Sequence, residues 1–233
     1  KRMSPAVAAC VFGFSNGVDT DYFSPELCPS SPYAQDEQVL VFTGAMDYWA
    51  NVDAVTWFAR EVFPSVHARC PNARFYIVGA RPTAAVSALT AISGVKVTGA
   101  VADTRPYLAH AAAAVAPLRI ARGIQNKVLE AMAMAKPVLA TSAAVEGIEP
   151  GVNGVSAFEG IGIIVADHVT ESVEQALRLL QGGANAAGRA YVLKQYTWAE
   201  NLRRLDRLLE GDIVPAVNGS VPLAVQESTV VVP

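Results

Sequence analysis

Short β-branched runs that close at a glycine and hand over to amphipathic helical periods limit this chain more than any other feature. Gln38–Thr43 is continuously apolar apart from its ends and is followed by Gly44. Arg74–Val78 ends at Gly79, and Val95–Thr98 ends at Gly99. Ala113–Ala116, Pro137–Thr141 and Gly162–Ala166 supply three more runs, with Pro137 at the tolerated first position of its strand. Between them lie helical periods. Val55, Phe58, Ala59, Val62 and Val66 fall on one face of a helix that Asn51 can cap and Pro64 should kink. Thr83–Ile92, Thr104–His110, Gln125–Ala135, Thr170–Leu180, Ala184–Lys194 and Trp198–Leu209 read as further helices. Strands apolar on both faces, each followed by a helix, imply an α/β fold with a doubly wound parallel sheet of about six strands. Such sheets bind ligands beyond the carboxyl ends of their strands. Gly44, Gly79, Gly99 and Gly123 stand there.

Composition excludes several alternatives. With 52% apolar and 17% charged residues the chain can bury a sizeable core. A formal charge of −3 gives no global basic field for nucleic acid. No apolar run approaches the roughly 18 residues of a membrane-spanning helix. The three cysteines, Cys10, Cys28 and Cys70, and the three scattered histidines lack metal-ligand spacing, so no metal is expected. Reduced thiols point to the cytoplasm. Lys1-Arg2-Met3 before a short apolar stretch imitates a signal peptide, but no A-x-A cleavage site follows and a buried strand entering a turn fits better. Without export, the Asn218-Gly219-Ser220 sequon carries no meaning.

The composition shifts divide the chain into four stretches. Residues 15–38 are rich in Ser, Pro, Asp and Asn and read as an interdomain linker expected to pack loosely. Residues 1–14 then read as the end of an absent N-terminal domain. Residues 39–211 form the domain proper, and 212–233 read as a disordered tail.

Pro117 to Ala140 carries the chemistry. A strand delivers the chain to a loop holding Arg119, Arg122 and Gly123, and a helix opens near Gln125. The free N–H groups and positive end of a helix suit a phosphate, and Gly123 permits close backbone approach. Lys127 lies in the first turn with Glu130 on the same face, while Val128, Met132 and Ala135 turn towards the sheet. A cation at a helix N-terminus is locally unfavourable, which points to an anion that it meets. Glu130 is placed to accept from vicinal sugar hydroxyls. An ordinary surface Lys–Glu pair explains the same spacing.

Leu129-Glu130-Ala131-Met132-Ala133-Met134-Ala135-Lys136-Pro137-Val138 resembles the LEAMA-x-G-x-PV signature of the family 4 glycosyltransferases of GT-B fold. Asn16-Gly17-Val18-Asp19 through Phe23-Ser24-Pro25 is similar to the N-G-V-D-x-x-x-F-x-P segment joining that family's two domains. With Thr43 to Asn51 and Arg119 to Lys127 included, the likeness is closest to sugar transferases associated with bacterial exopolysaccharide and exosortase gene clusters. The resemblance covers about residues 14–210. It implies a Rossmann-like, donor-binding C-terminal half whose acceptor-binding half lies elsewhere. It further implies a retaining, metal-independent transfer from a nucleoside-diphosphate sugar to an exopolysaccharide or lipid-linked acceptor, the fragment alone being inactive. The setting is the cytoplasm, with peripheral association of the intact protein at the inner face of the membrane. The implied catalytic residues are Arg122 and Lys127, with Arg119 a weaker candidate. The implied substrate-binding residues are Gly44, Met46, Arg81, Val101, Gly123, Gln125, Asn126 and Glu130, the last on the ribose.

Three departures from the family pattern stand out. The first Glu of its E-x7-E motif is replaced by Arg122, which puts that residue's usual contact with the transferred sugar in doubt. Ala45 and Asn51 stand where two basic residues are usual, and Ala135 replaces a usual glycine. Arg81 reads equally as a surface charge, and Asp103 as a helix cap. Tyr48 and Trp49 read as a ligand wall or a contact with the other domain. Gly160-Ile-Gly162 lacks the third glycine of a dinucleotide fingerprint and precedes a strand. Two other readings remain: a GT-B-like sugar-nucleotide epimerase, and a degenerate, non-catalytic nucleotide-binding module.

Overall fold

The computed structural model describes residues 16–148 and 155–209. Strand β1 spans Gln38–Thr43, and helix α1, Trp49–Trp57, follows it. A π turn over Phe58–Val62 joins α1 to α2, Phe63–Arg69. The expected kink is this widened turn, in which the Phe63 N–H reaches back to the Phe58 carbonyl. Pro64 lies just beyond it and cannot donate into the regular ladder. Then come β2, Ala73–Val78, the single turn α3, Ala84–Ser87, and β3, Val95–Gly99. The helix expected over Thr83–Ile92 is thus one α turn, capped by Thr83 Oγ1 on the Val86 N–H, running into a 3₁₀ turn over Ala88–Ala91. Helix α4, Arg105–His110, leads to β4, Ala113–Ala116; α5, Asn126–Ala133, leads to β5, Val138–Ala140. Helix α6, Val155–Gly160, and β6, Ile163–Val165, precede α7, Val169–Leu180, α8, Ala186–Gln195, and α9, Trp198–Leu209.

All six strands pair in parallel in the order β3-β2-β1-β4-β5-β6. The alternation of strand and helix forces crossovers, and the order reverses between β1 and β4. That reversal opens a crevice at the carboxyl end of the sheet. β1 is central, pairs over its whole length with β2, and buries Val39, Leu40, Val41 and Phe42. Phe58 and Phe63 pack from the helix layer onto Phe75, with ring centroids 4.9 and 5.9 Å away.

Two local expectations need correction. Asn51 does not cap α1: the helix begins at Trp49, and Asn51 is buried inside its first turn. Helix α5 ends at Ala133, two residues early, because the chain turns left-handed at Ala135 (φ +54°). There the Lys136 N–H bonds the Ala131 carbonyl and the Ala135 N–H bonds the Met132 carbonyl, both at 2.9 Å. This is a Schellman stop, whose left-handed position favours glycine.

Residues 16–38 are anchored to the domain at separate points, although most of them are exposed. Their polar, proline-rich composition hides separate anchors: Val18 and Cys28 are buried, and Tyr33 packs edge-on to Tyr76 and Tyr107. Val18 N–H donates to the Tyr196 carbonyl, Arg105 to that of Tyr22, and Arg189 to that of Phe23. Cys28 and Cys70 are free thiols. The expectations for residues 1–14, Cys10 among them, and for the 212–233 tail lie outside the described residues. No helix among the described residues is long and apolar enough to cross a membrane.

Candidate functional site

A cleft of about 480 Å³ opens at the carboxyl end of the sheet, where the strand order reverses. Its walls are the loop after β1 (Gly44, Ala45), the loop after β2 (Gly79 to Arg81), the loop after β3 (Ala100, Val101) and the start of α5. The two glycines make its floor. A Cβ on Gly79 would fall 1.7 Å from the Gly44 carbonyl oxygen, so these loops close on one another only without a side chain. Met46 is buried beneath the floor; its N–H donates to the Ala80 carbonyl and its own carbonyl accepts from Thr83, stitching the two loops together.

Helix α5 aims its N-terminus into this cleft and brings Asn126, Lys127 and Glu130 to the wall. Its apolar residues, Val128, Leu129 and Met132, are buried towards the sheet, which fixes the rotation of the polar face. No side chain caps the helix: Gln125 instead turns its Nε2 to the Gly123 carbonyl at 3.1 Å. The Val128 N–H is taken by the Gln125 carbonyl at 2.9 Å, which leaves the Asn126 and Lys127 amides for a ligand. Lys127 Nζ donates to Asn51 Oδ1 at 2.5 Å and lies 4.3 Å above the ring centre of Phe42. Burial pushes its ammonium down to about 8, against the upward pull of Glu130. Burial also raises the Glu130 carboxyl, opposed by Lys127. Two charged groups are thus kept in a desolvated cleft at a cost to each.

Of the residues expected from sequence, the cleft gathers Gly44, Arg81, Val101, Asn126, Lys127 and Glu130. Met46 lies under it. Arg122, Gly123 and Gln125 sit on the approach loop outside its lining, Arg122 and Gly123 exposed and Gly123 at φ +67°. Arg81 is ion-paired with Asp47, and the two carboxylate oxygens of Asp47 receive its Nε and Nη2. Arg119 points away, to Asp53, in a neighbouring groove of about 700 Å³ walled by Trp49 and Trp57. Tyr48 and Trp49 are both exposed beside that groove. Asp103 Oδ1 accepts from the Arg105 N–H at 2.9 Å and its carboxylate pairs with the Arg105 guanidinium, so it secures the start of α4. The described residues hold no group of three or more His, Cys, Asp or Glu side chains able to bind a metal.

Asn51 is the residue that sequence reasoning placed wrongly. Its Nδ2 donates to the Ala45 carbonyl at 2.9 Å while its Oδ1 takes Lys127. The signal was present: Asn51 extends the inward stripe of Ala54, Val55 and Phe58, and a polar residue on a buried stripe needs a polar partner.

A family model described as "Glycosyl transferases group 1" matches residues 37–182, more than half of the chain. No curated protein matches by sequence. Among solved structures, a glycosyltransferase from Rickettsia africae aligns with a TM-score of 0.58 at 15% identity, covering 84% of this chain and 55% of that one. Anabaena Alr3699/HepE in complex with UDP-glucose aligns at 0.59 and 17%, covering 85% and 57%. Staphylococcus aureus TarM, in a complex that includes UDP, aligns at 0.59 and 17%, covering 84% and 39%. The chain therefore spans roughly two fifths to three fifths of these neighbours, and at such identities the likeness is one of fold: the Rossmann-like, GT-B type.

Proposed function

The chain belongs to the group 1 glycosyl transferases, and from that premise we propose that it is the donor-binding half of a retaining, family 4 enzyme. The donor is a nucleoside-diphosphate sugar, and the acceptor an exopolysaccharide or lipid-linked saccharide presented by a second domain. The kinship with exosortase-associated sugar transferases and a cytoplasmic, membrane-peripheral setting belong to the same reading. One observation carries it: a lysine ammonium, an uncapped helix N-terminus and a partly buried carboxylate converge on one cleft at the strand-order reversal. The neighbours solved with UDP or UDP-glucose support the class of ligand.

In this reading the bond between the anomeric carbon and the diphosphate breaks as negative charge grows on the departing phosphate. Lys127 and the α5 amides lower that barrier by meeting the charge, and Arg122 adds to them from the approach loop. Glu130 accepts hydrogen bonds from the ribose hydroxyls, while the backbone around Arg81 and Val101 faces the base. No metal is needed, because the counter-charge is supplied by the protein. The chain alone binds donor and transfers little.

Calorimetric titration with uridine, guanosine, adenosine and thymidine diphosphates, with and without a chelator, tests this. One diphosphate should bind in a salt-sensitive, chelator-insensitive manner. Binding of none, or loss of binding on chelation, sinks the reading. An epimerase or a degenerate module would also bind nucleotide, and only transfer by a longer protein containing the acceptor domain separates them.

A further inference from the structure

Lys127 takes its hydrogen bond from outside its own helix. Its Nζ reaches Asn51 Oδ1 on α1, 76 residues away. Asn51 is only 5% exposed, and its Nδ2 is committed to the Ala45 carbonyl in the loop after β1. One amide thus joins three elements that wall the cleft. Its orientation is dictated: the NH₂ group must face the carbonyl, so the acceptor-only oxygen is left for the ammonium. Gly44 completes the fit, since a Cβ there would lie 2.8 Å from Asn51 Nδ2 and 3.3 Å from Lys127 Nζ. The Phe42 ring bounds the ammonium on another side.

We propose that Asn51 is the positioning residue of this site, holding the Lys127 ammonium at the cleft floor while leaving its other N–H bonds, and its whole charge, for an anionic ligand. Other residues fail one part of this task. A carboxylate would satisfy the lysine internally and cancel its charge. An apolar residue would strand both the ammonium and the Ala45 carbonyl. A second cation would repel the first. The amide orients without neutralising. Glu130 is the charged group that acts on Lys127, and Arg81, on the same cleft, is already tied to Asp47. The identity of the ligand rests on the donor-site reading, whereas the positioning itself does not.

The test uses Asn51→Ala, Asn51→Asp, Lys127→Met and the double variant Asn51→Ala/Lys127→Met. In ligand-free protein, NMR of isotope-labelled lysine side chains follows the Lys127 titration. Asn51→Asp should raise its midpoint by about one pH unit or more, and Asn51→Ala should lower it by about half a unit or more. At pH 7, UDP affinity by calorimetry should fall roughly tenfold in Asn51→Ala, the loss of one charged hydrogen bond. It should fall at least as far in Asn51→Asp, although the lysine is then more fully charged. The double variant should bind no more weakly than Lys127→Met. An unmoved Lys127 titration in both variants overturns the proposal. So does an equal loss from Asn51→Ala with and without Lys127, which would mean that Asn51 acts on the loop alone. Should wild-type protein not bind UDP, the nucleoside diphosphate that it does bind takes the place of UDP; binding of none puts the donor reading at fault, and the titration still decides the positioning. Should Asn51→Ala not fold, the near-isosteric Asn51→Asp carries both readouts.

Discussion

Raising the pH from 7 to 9 perturbs one group in the cleft above all. The Lys127 ammonium, pushed by burial to about 8 from its ordinary 10.5, is charged at pH 7 and mostly neutral at pH 9. On the proposed reading a diphosphate binds the charged form, so above pH 8 binding should take up a proton. At pH 9 about one site in eleven is charged, and affinity should be about tenfold weaker, or ~1.4 kcal/mol. The unliganded fold should move the other way. A base whose folded-state value is lowered releases its proton first in the native state, so the unfolded state binds more protons between about 8 and 10.5. Stability therefore rises with pH across that window, by at most about 3–4 kcal/mol from this group. The assay is UDP calorimetry at pH 7, 8 and 9, with urea melts of the unliganded protein at the same values. Lys127→Arg stays charged throughout and reports titration of the ligand itself. Superimposable wild-type and Lys127→Arg binding profiles would refute the assignment, because the lysine would then be either not depressed by burial or not bound to the anion.

Ala135→Gly should stabilise the domain by about 1 kcal/mol, the left-handed strain relieved less the extra entropy of glycine when unfolded, and should raise the melting temperature by about 2–4 °C; an unchanged or lower value would show that the Schellman stop is not strained. Gly79→Ala places a methyl group against the Gly44 carbonyl and should destabilise by about 1–3 kcal/mol or more while abolishing UDP binding, and wild-type binding in that variant would show that the two loops do not close. Glu130→Ala should weaken UDP binding roughly tenfold to a hundredfold, the range of a lost charged hydrogen bond, with Glu130→Gln intermediate because its oxygen still accepts; calorimetry with 2′-deoxy-UDP, for which the difference between wild type and Glu130→Ala should shrink because one of the two hydroxyls is gone, checks that the carboxylate acts on the ribose.

The sheet was legible because strands buried on both faces leave uninterrupted apolar runs, and helices between them leave a 3.6-residue period. Residues that act against their local preference were not. Ala135 has high helix propensity, so the α5 period reads through it, while the chain in fact turns left-handed to enter β5. Asn51 has high capping propensity, so it reads as a helix start, while one of its partners, the Ala45 carbonyl, lies in the preceding loop and the other, Lys127, comes from an element 76 residues away. Residues 16–38 show the limit of composition: Val18, Cys28 and Tyr33 have no regular spacing, and only the surface they meet makes anchors of them. For the cations, sequence gave proximity without direction. Arg119 and Lys127 are eight residues apart on one motif, yet one faces Asp53 across a neighbouring groove and the other faces the cleft.

That difference in direction determines the electrostatics of the site. Arg81 and Arg119 are each held by a carboxylate, Asp47 and Asp53, and these pairs present little net charge to a ligand. Lys127 is held by a neutral amide, and its positive charge is uncancelled except by Glu130 one turn away. The fold therefore keeps a cation without a bonded carboxylate where burial makes it costly, beside a helix end whose partial charge has the same sign. Such an arrangement works against the stability of the unliganded domain. It is relieved when an anion enters the cleft, since the ligand supplies the opposite charge to both the ammonium and the helix terminus. A surface Lys–Glu pair would instead be solvated, lightly perturbed and worth about 0.2–0.5 kcal/mol. The depressed lysine, the raised carboxyl and the buried amide between loop and helix are what separate a binding site from that ordinary pair.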